Sequence, residues 1–299
     1  MAWYVCLDIG GTAVKHSVMD TTGKIITSGS TPNCIAEAGI KNFLQSILTI
    51  ITDYQKTHQI AGVAICSAGI INRETGDIIR APHYFPDYAG VNIPKFIKEK
   101  LALNATIIND VNAMCLGEYW QGAGQNAQSL FCVAFGTGIG GALMLDGKLW
   151  EGASYSAGEV GLMRVGEINN WEDLASTAGL IRAVARAKGC KPQELDGNKI
   201  FALAENQDPD AVKAIDQMVE RWVQGLANIC YTVNPQVIVL GGGIMAQKSY
   251  LLPKIRALLK DFLLRPIYDG TRITCAQLGN GAGMLGALYN FLQLTPPNA

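Results

Sequence analysis

Charge is scarce in this sequence. Only 16% of its 299 residues are Asp, Glu, Lys or Arg, against about a quarter in a typical soluble domain, and the net charge is −1. Without a basic run, neither a phosphodiester backbone nor an anionic lipid surface has an electrostatic reason to bind, so nucleic acid and membrane are excluded as partners. No apolar stretch approaches the roughly 18 residues that cross a bilayer. The first residues lack the basic segment of a secretory signal, and Asp8 stands inside the first apolar run. The eight cysteines are scattered with no C-x-x-C pair, and the three histidines, His16, His58 and His83, lie far apart. That spacing excludes a disulfide framework and a zinc site, and the cysteines read as reduced packing residues of a cytoplasmic protein. A small neutral substrate suits such a chain.

Glycine is what the sequence has in plenty, with 33 residues, above the usual share of about 7%. The apolar run Val5-Cys6-Leu7 leads into Asp8-Ile9-Gly10-Gly11-Thr12, and Phe131-Cys132-Val133-Ala134-Phe135 leads into Gly136-Thr137-Gly138-Ile139-Gly140-Gly141. The turn residues Asp20 and Asp146 repeat at the same interval as Gly10 and Gly136, which marks a duplicated hairpin. A glycine turn after a strand exposes amide groups that cradle phosphate. Either turn alone could serve only to reverse the chain. Together they point to two similar lobes holding a nucleotide in a cleft, with a second substrate facing its terminal phosphate, which is the arrangement of phosphoryl transfer.

A chain of this length has material for two domains. Trp3 to Leu7, Ala13 to Met19 and Lys24 to Ser28 read as a meander of three strands. Apolar residues at helical spacing from Ile40 to Tyr54 predict a helix, followed by a buried strand from Gly62 to Cys66. Ser67-Ala68-Gly69 breaks that strand, and Ser67 and Gly69 join the candidate substrate contacts with the loop Ala81 to Gly90. A helix near Ile93 to Leu101, a strand Thr106 to Ile108 and a helix Val111 to Tyr119 follow, the last expected to be capped by Asp110. After the second hairpin the sequence predicts helices around Leu174 to Ala187, Lys199 to Ala204 and Ala211 to Thr232. A strand Gln236 to Leu240 then meets Gly241-Gly242-Gly243, and a strand Arg272 to Ala276 and a helix Met284 to Leu292 come last. Thr295 to Ala299 reads as frayed. The alternation implies a layered α/β architecture.

Phosphoryl transfer needs a group to accept the proton of the attacking hydroxyl. Asp110, at a strand end, is the candidate base, with Asn109 beside it as a partner for a neighbouring hydroxyl; the plainer reading is a capping aspartate. Asp8 is the candidate for Mg²⁺ held through water, because a carboxylate in an apolar strand is costly unless paired or coordinated. Lys15 either reaches a phosphate or is simply solvated. His83 and Tyr84 either line a sugar or pack within their loop, packing being favoured.

The ordered motifs Asp8-Ile9-Gly10-Gly11-Thr12, Asn109-Asp110-Val111-Asn112-Ala113, Gly136-Thr137-Gly138-Ile139-Gly140-Gly141, Gly158-Glu159-Val160-Gly161 and Gly241-Gly242-Gly243-Ile244 resemble the ROK family over nearly the whole chain. The resemblance implies the two-lobed actin-like ATPase fold, ribonuclease H-like and hexokinase-type. It implies an N-terminal α/β lobe of residues 1–115 plus 280–299, a C-terminal α/β lobe of 116–279, and ATP with Mg²⁺ and a sugar in the cleft between them. Asp110 then matches the catalytic aspartate, and Asn109, Glu159 and Glu172 match sugar ligands. Gly10, Gly11 and Thr12 with Gly136, Thr137, Gly138 and Gly140 match the phosphate sites, and Gly241, Gly242 and Gly243 match the adenosine side. A homodimer is implied as well.

Two positions depart from the family pattern. Leu162 stands where the family has the histidine of G-E-x-G-H, and no cysteine occurs between Cys132 and Cys190, so no structural zinc is expected. An apolar wall in place of a donor accepts a bulky aglycone without a lost hydrogen bond. The zinc-free pattern resembles the branch of the family with bacterial β-glucoside kinases and glucokinases, and the resemblance implies phosphorylation of the 6-hydroxyl of a hexose or hexoside, glucose or a β-glucoside favoured, with N-acetylmannosamine kinase or fructokinase as alternatives. A sugar-sensing regulator is the non-enzyme alternative; it would call for a basic recognition helix, which the sequence does not display. A dinucleotide oxidoreductase fails because Asp261, the acidic residue at the right interval from Gly241, falls in a helical stretch rather than at a strand end.

Overall fold

The computed structural model describes residues 2–82, 84–165 and 169–295. Two compact units divide the chain, one of Met1–Gln125, Glu151–Ser156 and Asn280–Ala299, the other of Asn126–Trp150 and Ala157–Gly279.

Unit 1 carries strands β1 (Trp3–Ile9), β2 (Ala13–Asp20) and β3 (Ile25–Pro32), helix α1 (Ile35–Gln55), strands β4 (Ile60–Ser67), β5 (Ile70–Ile71) and β6 (Ile78–Arg80), helix α2 (Ile93–Leu101), strand β7 (Ala105–Asn109) and helix α3 (Asp110–Gln121). Its main sheet has the order β3-β2-β1-β4-β7, antiparallel among the first three strands and parallel from β1 through β4 to β7. Side chains alternate across the sheet. Val5, Leu7 and Ile9 of β1 pack in one core with Phe43, Ile47 and Ile51 of α1 and Ile93 and Ile97 of α2. Tyr4, on the other face, meets Phe291 with ring centroids 5.3 Å apart. With both faces covered, β4 reads as an almost unbroken apolar run, as a buried parallel strand should. The regular part of α1 begins after Gly39, whose φ of +78° interrupts it. Helix α3 runs through residue 116 as one piece, so unit 1 extends to Gln125. Arg73 Nε donates to Glu151 Oε2 at 2.8 Å, which ties the segment Glu151–Ser156 to this unit.

Unit 2 repeats the pattern. Strands β8 (Ser129–Phe135), β9 (Ile139–Leu145), β10 (Lys148–Trp150), β11 (Val237–Gly241) and β12 (Arg272–Cys275) form a sheet of order β10-β9-β8-β11-β12. Between them lie α4 (Trp171–Ala175), α5 (Thr177–Lys188), α6 (Gly197–Glu205), α7 (Pro209–Val233), α8 (Lys248–Phe262) and α9 (Arg265–Gly270); α10 (Ala282–Leu294) returns to unit 1. Asp208 caps α7 by accepting from Ala211 N, and the helix stops at Asn234 in the left-handed region, just before Pro235. The core centres on Phe135, Trp171 and Trp222, with Phe135 stacked on Trp222 at 4.0 Å.

His83, part of the expected loop contact, lies outside the described residues, as do residues 296–299.

Candidate active site

Ile9, Ser67 and Asn109 stand in register at the carboxyl ends of the parallel strands β1, β4 and β7, the edge of an open α/β sheet where ligands bind. The Gly10 turn, the Ser67-Ala68-Gly69 break and the start of α3 are therefore brought together by strand register alone. Gly10 N donates to Ala13 O at 3.0 Å and closes the first turn. Among the described residues the amides of Gly11 and Thr12 donate to no protein acceptor.

Asn109, rather than Asp110, caps α3. Its Oδ1 accepts from Val111 N at 2.9 Å and Asn112 N at 3.0 Å, and its Nδ2 donates to Gly69 O and to Asp110 Oδ1, each at 3.0 Å. Asp110 is the first helical residue and also accepts from Val111 N at 3.0 Å. Adjacent Asn and Asp are both good caps; the extended backbone falls on Asn109 because β7 runs to that residue. All four hydrogen-bonding valences of the Asn109 amide are in use, so in this structure it orients Asp110 and offers no free group to a hydroxyl. Ser67 is likewise turned inward. It is fully buried, and its Oγ is 2.9 Å from Tyr88 Oη. Gly69 has φ +119°, and a Cβ there would stand 2.5 Å from Arg80 O, so only glycine fits the break.

Asp8 pairs across β1 and β2 with Lys15, the Nζ lying 3.9 Å from Oδ2. Burial raises the Asp8 carboxyl above its ordinary value, and Lys15 offsets part of the rise. The ordinary value of 3.8 is then below the folded one, so the fold loses stability as pH climbs through that interval and carries the full penalty at neutral pH. Asp8→Asn is accordingly expected to resist denaturant better than the wild type at pH 7, an advantage that shrinks as pH falls toward 4. Urea unfolding at both pH values measures it. Among the described residues no group of three or more His, Cys, Asp or Glu could ligate a metal. One half-buried carboxylate beside outward amides fits a magnesium ion that keeps its water and shares phosphate oxygens.

In unit 2 the second turn is closed by Gly136 N donating to Gly138 O at 2.9 Å, and the amides of Thr137 and Gly138 have no protein acceptor among the described residues. Ile139 N donates to Glu172 Oε2 at 3.3 Å, and a Cβ on Gly138 would lie 2.6 Å from that oxygen. Glu172, in the first turn of α4, thus rests on the hairpin. Gly242, at the end of β11, has φ +89°, and a Cβ there would collide with Phe135 O. Thr137 and Gly243 line a cavity of about 380 Å³ with Thr177, Asn198, Phe201 and Gln247. Gln247 ends the 3₁₀ turn that begins at Gly243, while Thr177, Asn198 and Phe201 come from α5 and α6, away from the glycine motifs in sequence. Gly140 lies in β9, paired with Ala134. Glu159 is exposed and precedes a 3₁₀ turn carrying Leu162, 43% exposed.

Sheets of one order in both units, each led by a glycine hairpin, define the actin-like ATPase fold of the ROK hexokinases. The chain belongs to the ROK family, which it matches over residues 4–293. It is 31% identical to the β-glucoside kinase of Listeria innocua over 96% of each chain. Its fold is similar to that of a ROK family protein from Streptococcus pneumoniae in complex with sucrose, with a TM-score of 0.84 and 29% identity over 97% of this chain and 98% of that one. It is also similar to a ROK glucokinase from Streptomyces griseus in complex with glucose and AMPPNP, with a TM-score of 0.82 and 25% identity over 96% of this chain and 98% of that one.

Proposed function

We propose that this chain, a sugar kinase by its family and its relatives, transfers the terminal phosphoryl group of ATP to the 6-hydroxyl of a hexose or hexoside, glucose or a β-glucoside favoured. The observation that carries the reading is that each unit has a glycine turn whose amides, Gly11 and Thr12 in one and Thr137 and Gly138 in the other, have no protein acceptor among the described residues, each turn being preorganised for phosphate oxygens. Gly241, Gly242 and Gly243 form the adenosine side, with the neighbouring cavity as the seat of the base. Asp110 accepts the proton of the 6-hydroxyl as that oxygen bonds to the γ-phosphorus and ADP departs. Asn109 holds Asp110 in place. Glu159 and Glu172 bind sugar hydroxyls, and Lys15 reaches a phosphate. Asp8 would hold Mg²⁺ through water, and the ion would neutralise charge on the phosphates.

The preference for a glucoside rests on Leu162, an exposed apolar side chain that suits an aglycone better than a free anomeric hydroxyl. A homodimer in the cytoplasm completes the reading, and light scattering on the purified protein measures the assembly state. The test of function is ATP consumption over glucose, cellobiose, other β-glucosides, N-acetylmannosamine, fructose and allose. Turnover is expected with glucose and β-glucosides. Turnover confined to N-acetylmannosamine or fructose would transfer the assignment to that sugar, and none with any acceptor would remove the kinase reading.

A further inference from the structure

The loop between β6 and α2 holds a graded series of aromatic rings. Phe43 of α1 meets Tyr88 edge-on at 6.1 Å, Tyr88 meets Phe85 at 5.0 Å, and Phe85 meets Tyr84 at 5.0 Å. Phe43 and Tyr88 are fully buried and Phe85 is 2% exposed, whereas Tyr84 is 44% exposed. The Tyr88 hydroxyl, 2.9 Å from Ser67 Oγ, pins the series to the end of β4. The outermost ring is thus anchored from the core and lies against the first glycine turn: a Cβ on Gly11 would stand 3.3 Å from Tyr84 Cε2. The charge of Asp110 reaches the Tyr84 phenol and, after burial, is the second influence raising its pKa. The ring thus packs on Phe85 and on the Gly11 turn at once.

This geometry bears on a problem that every sugar kinase faces. Water is an acceptor too, and a base that activates a sugar hydroxyl activates water equally. In that side reaction a water oxygen bonds to the γ-phosphorus, the bond to the β-phosphate oxygen breaks, and ADP, inorganic phosphate and a proton are released. Resting on the kinase reading above, we propose that Tyr84 is the wall of the acceptor site beside Gly11 and Asp110, seating the apolar face of a pyranose and displacing water from the transfer path.

The experiment measures inorganic phosphate released against sugar phosphate formed, at saturating sugar, in wild type, Tyr84→Ala and Tyr84→Phe. The ratio is read from the active molecules only, so a partly unfolded preparation does not move it. Tyr84→Ala is expected to raise the ratio about tenfold, the change that loss of one aromatic contact gives, and to raise the acceptor KM. Tyr84→Phe is expected to keep both near wild type. Should Tyr84→Ala not fold, Tyr84→Leu keeps the loop filled while removing the flat ring, and the same rise is expected. An unchanged ratio in an active Ala or Leu variant overturns the proposal and leaves the kinase reading standing. A wild type that forms no sugar phosphate from any acceptor overturns both.

Discussion

Asp110→Asn is expected to lower turnover by about 10²–10⁴-fold, the usual contribution of a positioned general base, with sugar affinity nearly unchanged. The substitution is a clean one for structural reasons. The carboxylate Oδ1 accepts from Asn109 Nδ2 and Val111 N, and an amide oxygen in the same place keeps both bonds. Helix α3 is capped by Asn109, so the new side chain does not loosen the helix start. What is lost is the negative charge, and with it the capacity to take a proton. Steady-state kinetics with the preferred acceptor, together with calorimetric titration of that sugar, separates the two quantities. Wild-type turnover in the variant would assign the proton to another acceptor.

Trp222→Ala is expected to destabilise unit 2 by about 3–5 kcal/mol, the range for a large aromatic removed from a core, and to lower its melting temperature by about 6–20 °C. The indole is fully buried, stacks on Phe135 at 4.0 Å and 18°, and donates to Ala175 O at 2.6 Å. Truncation leaves a cavity and a buried carbonyl without its donor. The effect extends to the site, because Phe135 is the residue on which the second glycine turn begins and against whose backbone Gly242 is packed. Nucleotide affinity is expected to weaken in the folded fraction. Thermal unfolding followed by tryptophan fluorescence, with AMPPNP titration below the transition, measures both; a melting point within a degree or two of wild type would show that the neighbouring side chains fill the gap.

The duplicated hairpin was legible in the sequence because a strand, a glycine turn and a strand are local. The register that brings Ile9, Ser67 and Asn109 to one edge follows from unbroken apolar strands ending at polar residues. Other features depended on contacts that no local pattern encodes. Ser67 and Asn109 are polar and stand where strands end, which is why they are candidate ligands; that Ser67 meets Tyr88 and that Asn109 bridges Gly69 and the start of α3 is set by the fold and not by local pattern. Thr177, Asn198, Phe201 and Gln247 meet around one cavity from distant segments. Glu151 joins unit 1 through Arg73, 78 residues away. Sequence leaves Tyr84 open between lining a sugar and packing in its loop, and the approach of its ring to Gly11 is a contact that no local pattern encodes.

Helix α10 crosses α3 where Gly117 and Gly286 let the backbones touch, and its Phe291 lies over Tyr4. It is encoded after the whole of unit 2. During synthesis, then, the part of the sheet face that α10 covers stays open until residue 294 has been added, although α3 already packs on β4 and β7. Domains ordinarily mature in the order they are made, and here the unit that begins first is the one whose last element is made last. A fragment ending at residue 125 would expose the apolar face that Phe291 covers, and nascent chains stalled before α10 are where chaperone dependence should concentrate.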